Sequence, residues 1–335
     1  MAARWLKAES GARLFVIGIL VGIPLAILIG RWIMSRDSSI EIHARIAEAG
    51  GFTPANLTAK VGEPIRLRLI SDDVQHGFAI GQSDTPALDL PAGQMVETTL
   101  TFDRPGKYVF YCTRWCGLSH WRMRGTIEVK GEPAAQASAV SPLYFKLNID
   151  LDDPHPAKNI PPQKPVAKSI TNIPANFLTR EYYLTHSPSD AFVETLHATS
   201  LPDDEIWNLV AFVWQANTTK EKLAQGQKLY AQNCAACHGE SGKGDGVMAA
   251  SLAKKDSSAQ MEFGHNTKSP VDFTDSSQML GASPALLQGK IIRGGMGTGM
   301  PYWGPIFTEE QTWALVDYLW TFQFEYVMHF RQLER

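Results

Sequence analysis

The four cysteines of this chain restrict its folding more than any other feature: they form two close pairs, each with a histidine alongside. Cys112 and Cys116 are followed by His120, and Cys234 and Cys237 run directly into His238. Two local disulfides are the plainest reading of four cysteines in an exported chain. The imidazoles argue against it, because a disulfide has no use for one. Read as two cofactor sites, the pairs leave no cysteine for structural cross-links. Each site then needs a unit with its own core, and 335 residues suffice for two or three. The formal net charge of -3 gives no basic excess, so nucleic acid is not an expected partner.

Hydropathy and turn signals divide the chain into five parts. Leu14 to Gly30 is a run of 17 residues without a charge. Extended to Met34 with Arg31 snorkelling, a helix here reaches roughly 30 Å, enough to span a bilayer. No small-residue cleavage site follows, so residues 1–38 are expected to be a retained transmembrane anchor rather than a signal peptide. Arg4, Lys7 and Arg13 before the span favour a cytoplasmic N-terminus and an exported remainder.

Residues 39–131 read as short strands, among them Pro64–Ile70, Glu97–Phe102, Tyr108–Tyr111 and Gly125–Val129, with turn signals between them. That pattern predicts an all-β sandwich or barrel. Residues 132–170 are proline-rich, with seven prolines between Gly131 and Pro165, and suit an extended linker lying over the surface. Residues 171–218 and 219–335 are helical in pattern. They share a weak repeat: Ser187–Pro188 answers Ser283–Pro284, and the stretch around Trp207 answers that around Trp313. The offset grows from 96 to 106, so the second copy has ten extra residues, and these include Met300. Residues 171–218 are therefore expected to be a decayed half-domain that lost its cofactor and packs as support.

Cys234–Ala–Ala–Cys237–His238 is the attachment signal for a c-type haem. Two thiols on one helical turn add to the two vinyl groups, and the next residue places an imidazole under the iron. Gly226 and Tyr230 lie four apart on the preceding helix face. Downstream, Gly297–Thr–Gly–Met300–Pro301 offers a thioether for the opposite haem face, with Met296 as the competing ligand. Met/His ligation closes the iron to exogenous ligands and suits electron transfer. Thr308–Glu–Glu–Gln311 predicts a capped start for the last helix. These features resemble a class I cytochrome c domain over about residues 220–325.

The other cluster is Cys112–Thr–Arg–Trp–Cys116–Gly–Leu–Ser–His120–Trp–Arg–Met123, with His76 upstream. Two thiolates, two imidazoles and a thioether form a soft donor set that selects copper or zinc. A mononuclear blue-copper site leaves one cysteine idle, and a structural zinc site leaves Met123 idle. A binuclear copper centre uses every residue, with two bridging thiolates, one imidazole per copper and a weak axial thioether. Zinc remains the alternative.

The cluster and its spacing resemble the CuA site in subunit II of haem-copper oxidases, and Asp73–Val–Gln–His76–Gly–Phe78 looks most like the B-type members. The resemblance implies a cupredoxin fold and a further copper ligand, the backbone carbonyl of Arg114. Many oxidases have a glutamate there that helps bind magnesium; an arginine does not, so that site is not carried over. The resemblance also implies an electron-entry subunit of a terminal oxidase that reduces oxygen to water. Such a chain sits in a bacterial inner membrane with its soluble domains outside the cytoplasm. Its implied partners are the catalytic subunit I and an electron donor: a cytochrome, a cupredoxin or a quinol-oxidising complex. The equivalent subunit of a nitric oxide reductase and a stand-alone anchored redox carrier are the competing readings. The remaining histidines, His43, His155, His186, His197, His265 and His329, have no ligand-spaced partners.

Overall fold

The computed structural model describes residues 18–27, 39–83, 85–117, 119–132, 141–168, 173–198, 200–250, 269–295 and 300–327. Of the expected membrane span, only helical residues 18–27 (α1) fall among these; the rest lies outside the described residues. No helix among the described residues is long and apolar enough to cross a membrane.

The first unit is a two-sheet sandwich. One sheet holds β2 (Phe52–Thr53), β1 (Ile40–Ala44), β4 (Ile65–Ser71) and β7 (Met95–Leu100) in that order. The other runs β3 (Asn56–Lys60), β9 (Arg124–Lys130), β8 (Gly106–Tyr111), β5 (His76–Ile80) and β6 (Leu88–Leu90). Alternation dictates the layers: in β4, Ile65, Leu67 and Leu69 are buried while Arg66 is exposed. Between the sheets Phe52, Phe78 and Phe110 form an aromatic cluster with centroids 5.3 to 6.1 Å apart. The expected all-β unit is thus present; β8 and β9 extend a residue or two beyond the sequence-derived strands, whereas β4 lies one residue later and β7 two residues earlier than expected. β5 departs from alternation because all five of its residues are buried, which places His76 inside.

The helical unit comprises α2 (Leu143–Lys146), α3 (Arg180–Thr185), α4 (Pro188–Ala198), α5 (Asp203–Ala216), α6 (Lys220–Asn233), α7 (Ala235–His238), α8 (Ser276–Met279), α9 (Pro284–Arg293) and α10 (Glu309–Leu319). Its centre is the α6–α10 crossing. A Cβ at Gly226 would collide with the Ala314 carbonyl, so only glycine permits that approach. The cap expected at Thr308 forms in full: its hydroxyl accepts from Gln311 N at 3.1 Å, and Gln311 Oε1 accepts from Thr308 N at 3.0 Å.

The repeat has a structural counterpart. α4 and α9 both open on Ser-Pro, and in each the serine hydroxyl accepts a backbone N–H three residues on. Residues 199–202 join α4 to α5, whereas the longer segment 294–308 joins α9 to α10. α3 and α5 share one core with the end of the last helix: Trp214 meets Trp320, the residue after α10, edge-on at 5.9 Å, and Tyr183 donates to the buried Asp317 of α10 at 2.7 Å. Burial pushes the Asp317 carboxyl up, and the Tyr183 and Arg180 contacts oppose this only in part.

Residues 141–168, read from their prolines as a surface linker, also contribute to this core. Leu151 and Ala167 are buried in it, and Val166 bridges to Glu325. Asp152 takes a bidentate bond from Arg293 of α9 at 2.7 and 2.8 Å.

Candidate copper and haem sites

His76 opens β5, Cys112 follows the last residue of β8, and Met123 precedes β9. Three adjacent strands thus present donors at one end, and the loop between β8 and β9 supplies Cys116 and His120. The β8–β9 pairing closes that loop through Cys112 N, which donates to the Met123 carbonyl at 3.0 Å. His76, Cys112 and Met123 are 0%, 3% and 1% exposed.

The donors converge. Cys112 Sγ lies 3.9 Å from Cys116 Sγ, 3.8 Å from His76 Nδ1 and 3.2 Å from the Arg114 carbonyl. Cys116 Sγ lies 3.4 Å from His120 Nδ1 and 3.1 Å from Met123 Sδ. Both cysteines are free, and the sulfur separation is nearly twice a disulfide bond of about 2.05 Å. The same separation lets a metal reach both sulfurs at thiolate bond lengths of about 2.3 Å. The donor set therefore fits bridging thiolates, with one imidazole beside each sulfur.

Electrostatics prepare the donors. The Cys116 thiol beside it, with His120 and His76, holds the Cys112 thiol far below the usual range despite burial. Its thiolate also takes the Gly77 N–H at 3.3 Å. The hydrogen bond with Cys112, then burial and the Cys112 negative charge, push the Cys116 thiol up. Burial lowers the basicity of His76, but hydrogen bonds to Cys112 and Asp73 outweigh it and raise the net value. His76 Nε2 donates to Asp73 Oδ1 at 2.7 Å, which leaves Nδ1 facing the sulfur.

Sequence reasoning missed two supports. Asp73 is one; its place three residues before His76 is the signal that could have found it. The other is Asp89 on β6, which receives both Arg114 Nε and a terminal nitrogen at 2.7 Å. That fork anchors the turn whose carbonyl points at Cys112. No local spacing announces it, because the partners sit 25 residues apart.

In the helical unit, Cys237 N and His238 N both donate to the Cys234 carbonyl, at 3.0 and 2.9 Å. The two thiols and the imidazole therefore share one turn at the end of α6. His238 Nδ1 donates to the Val271 carbonyl at 3.1 Å, fixing the tautomer that frees Nε2 for an iron. Burial lowers the proton affinity of this ring, which favours the neutral, ligating form. Phe273 stacks on the imidazole at 4.5 Å, and Tyr230 donates to the Gly239 carbonyl at 2.7 Å. Met300, Cys234, Ala235 and Phe273 pack against the one helical core, whereas Met296 lies outside the described residues. Met248, which the motif does not include, is buried with its Sδ 3.8 Å from Cys237 Sγ. These residues fit a covalently attached haem.

Of the other histidines, His43 pairs with Asp72 and Glu41, His155 with the Asp153 carbonyl, and His186 stacks on Tyr182. His265 and His329, and the side chain of His197, lie outside the described residues.

A soft bis-thiolate site in a β-sandwich and a thiol-bearing haem turn in a helical unit define a protein with two redox centres, copper and haem c. Comparison with known proteins agrees with each half separately. A family model described as "Cytochrome C oxidase subunit II, periplasmic domain" matches residues 53–130, and one described as "Cytochrome c" matches residues 223–323. Cytochrome c oxidase subunit 2 of Thermus thermophilus is 38% identical over 85 residues, 25% of this chain and 62% of that protein. A second T. thermophilus sequence of that name matches with the same identity over 50% of its length. The chain thus spans less than two thirds of the length of these curated relatives. Among solved structures, the periplasmic domain of oxidase subunit II (CoxB) of Bradyrhizobium japonicum is 20% identical. It covers 29% of this chain and 86% of its own, with a TM-score of 0.24. A chain of a heme-copper terminal oxidase dimer is also 20% identical, covering 37% and 99%, with a TM-score of 0.25. Residues 53–130 are a cytochrome c oxidase subunit II periplasmic domain, joined in one chain to a cytochrome c domain at residues 223–323.

Proposed function

We propose that this chain is the electron-entry subunit of a membrane-bound haem-copper oxidase that reduces oxygen to water. The observation that carries the reading is the pair of free, buried thiols 3.9 Å apart, each with an imidazole beside it and with Met123 against Cys116. His76, Cys112, the Arg114 carbonyl, Cys116, His120 and Met123 hold the copper pair. Cys234 and Cys237 hold the haem, and His238 and Met300 ligate its iron. When bound, both groups take up and release single electrons at saturated coordination spheres.

The protein's own part is positioning. Asp73 orients His76, the Val271 carbonyl orients His238, and the Gly77 N–H stabilises the Cys112 thiolate. Residues 1–38 anchor the chain in a bacterial inner membrane, with the N-terminus cytoplasmic and both domains outside. Residues 171–218 are a cofactor-free half-domain that buttresses α10. Subunit I is the acceptor, and the donor is an external cytochrome, cupredoxin or quinol-oxidising complex.

Gas consumption by the detergent-purified complex, with a reduced artificial donor, tests this reading. Fast oxygen uptake is expected. Nitric oxide consumption with little oxygen uptake would move the chain to the reductase class. Uptake of neither gas, with no large subunit co-purifying, would make it a stand-alone carrier.

A further inference from the structure

The two redox domains touch through the segment that follows Met300. Gln82, just past β5, donates its backbone N–H to the Ile306 carbonyl at 2.7 Å and its side-chain amide to the Gly304 carbonyl at 2.8 Å. It does so at a φ of 55°, a left-handed conformation that a residue with a side chain rarely adopts. Beside it, a Cβ on Gly81 would lie 2.5 Å from the Pro305 carbonyl, so the backbones are in close contact. Arg124 completes the contact: its guanidinium lies over the Trp303 ring at 5.3 Å and donates to the Tyr302 carbonyl at 3.2 Å. Among the described residues no salt bridge involving Arg124 is found, although burial lowers its basicity. A carbonyl and a ring face from the other domain take the place of a carboxylate. Val109 and Tyr111 of β8 pack against the helical core on the same side.

Both sides of this contact adjoin candidate ligands. Arg124 follows Met123, and its β9 position pairs with Tyr111, the residue before Cys112. Tyr302 is separated from Met300 by Pro301 alone. Covalent bonds and one hydrogen bond therefore connect Met300 to Met123, with no gap to cross through space. We infer that Tyr302–Ile306 is a fixed dock on the copper domain and that Arg124 is the positioning residue through which the docked haem domain is coupled to the copper site. The inference rests on the function proposed above. In the step it governs, one electron leaves the ferrous haem and enters the oxidised copper pair; no bond forms or breaks, and no proton moves.

The test uses the full chain carrying both cofactors. An external photoreductant injects one electron into the haem, and its passage to copper is followed optically. Amide exchange at Gln82 is measured in parallel. In the unsubstituted chain the Gln82 amide is expected to be protected and transfer to follow a single fast phase. Arg124→Ala removes a hydrogen bond from a charged donor, and Gly81→Val wedges the backbones apart. Each is expected to slow transfer about tenfold or more, the scale of losing one such bond. Copper and haem spectra should stay unchanged. Arg124→Lys, which keeps the charge, should recover part of the rate. Gln82→Ala removes one side-chain bond without a wedge and covers the case in which Gly81→Val does not fold. Unaltered rates in Arg124→Ala and Gln82→Ala, with both spectra intact, would overturn the coupling. A freely exchanging Gln82 amide in the unsubstituted chain would overturn the dock. Failure to load copper or haem appears in the spectra before any rate is taken, and it counts against the proposed function instead.

Discussion

In the β-domain three of the donors are gathered by the sheet itself. Strands β5, β8 and β9 lie side by side, and His76, Cys112 and Met123 sit at their ends within one buried cluster. In the helical domain Cys234, Cys237 and His238 share one turn, but Met300, proposed above as the ligand on the other haem face, belongs to a separate segment that follows α9. That segment has a second task, because its next residues hold the copper domain. A sheet can converge donors without help, whereas a helical turn offers one face only. With Met300 as the proposed ligand, the second haem face is tied to whatever positions the segment after it, and Gln82 and Arg124 of the copper domain bond to that segment.

Four substitutions probe this contrast. The largest effect is expected at Cys116→Ser, which should abolish the mixed-valence copper EPR signal while the haem spectrum stays intact. An unchanged EPR spectrum would show that Cys116 does not bridge. Next is Gly226→Ala, whose added methyl meets the Ala314 carbonyl and spreads the α6–α10 crossing. Overpacking of this kind costs about 1–3 kcal/mol, read as an earlier denaturation midpoint of the haem band with the copper signal unmoved. Thr308→Ala removes the hydroxyl that caps α10. A loss of about 1 kcal/mol, again confined to the helical unit, is the expected result in denaturant.

The smallest effect is expected at Asp152→Asn. Hydrogen bonding from Arg293 holds the Asp152 carboxyl below its usual range. Its contribution is therefore fully present above the unfolded carboxylate value of about 4 and is lost as pH falls through the lower folded value. Because the Asp152 carboxylate is largely solvent-exposed, the effect at neutral pH should stay below about 1 kcal/mol. Stability curves of the substituted and unsubstituted chains should then converge in acid. A gap that persists at low pH would show that the pair does not act through charge.

What the sequence made legible was local. Cys112 to Met123 lie within one loop, and Cys234 to His238 within one turn, so spacing alone reveals both. His76 could be offered as a donor by residue type, but not by spacing, since its place beside Cys112 depends on the β5–β8 pairing. The Asp89–Arg114 fork and the Gln82–Gly304 bond could not be seen, because they join distant segments without any periodic signal. Prolines disguised residues 141–168: Leu151 and Ala167 enter the helical core as single apolar residues, and single residues carry no amphipathic pattern. The buried stretch of β5 breaks alternation for the same kind of reason, being covered on both faces.

On the proposed function, one chain carries a two-copper centre and a single haem c. Copper and haem quantified on the same purified protein, together with its EPR spectrum, test it most directly. Two coppers per chain sharing one unpaired electron, and one covalently bound haem, are the expected result. One magnetically isolated copper, zinc in its place, or two haems per chain would contradict it.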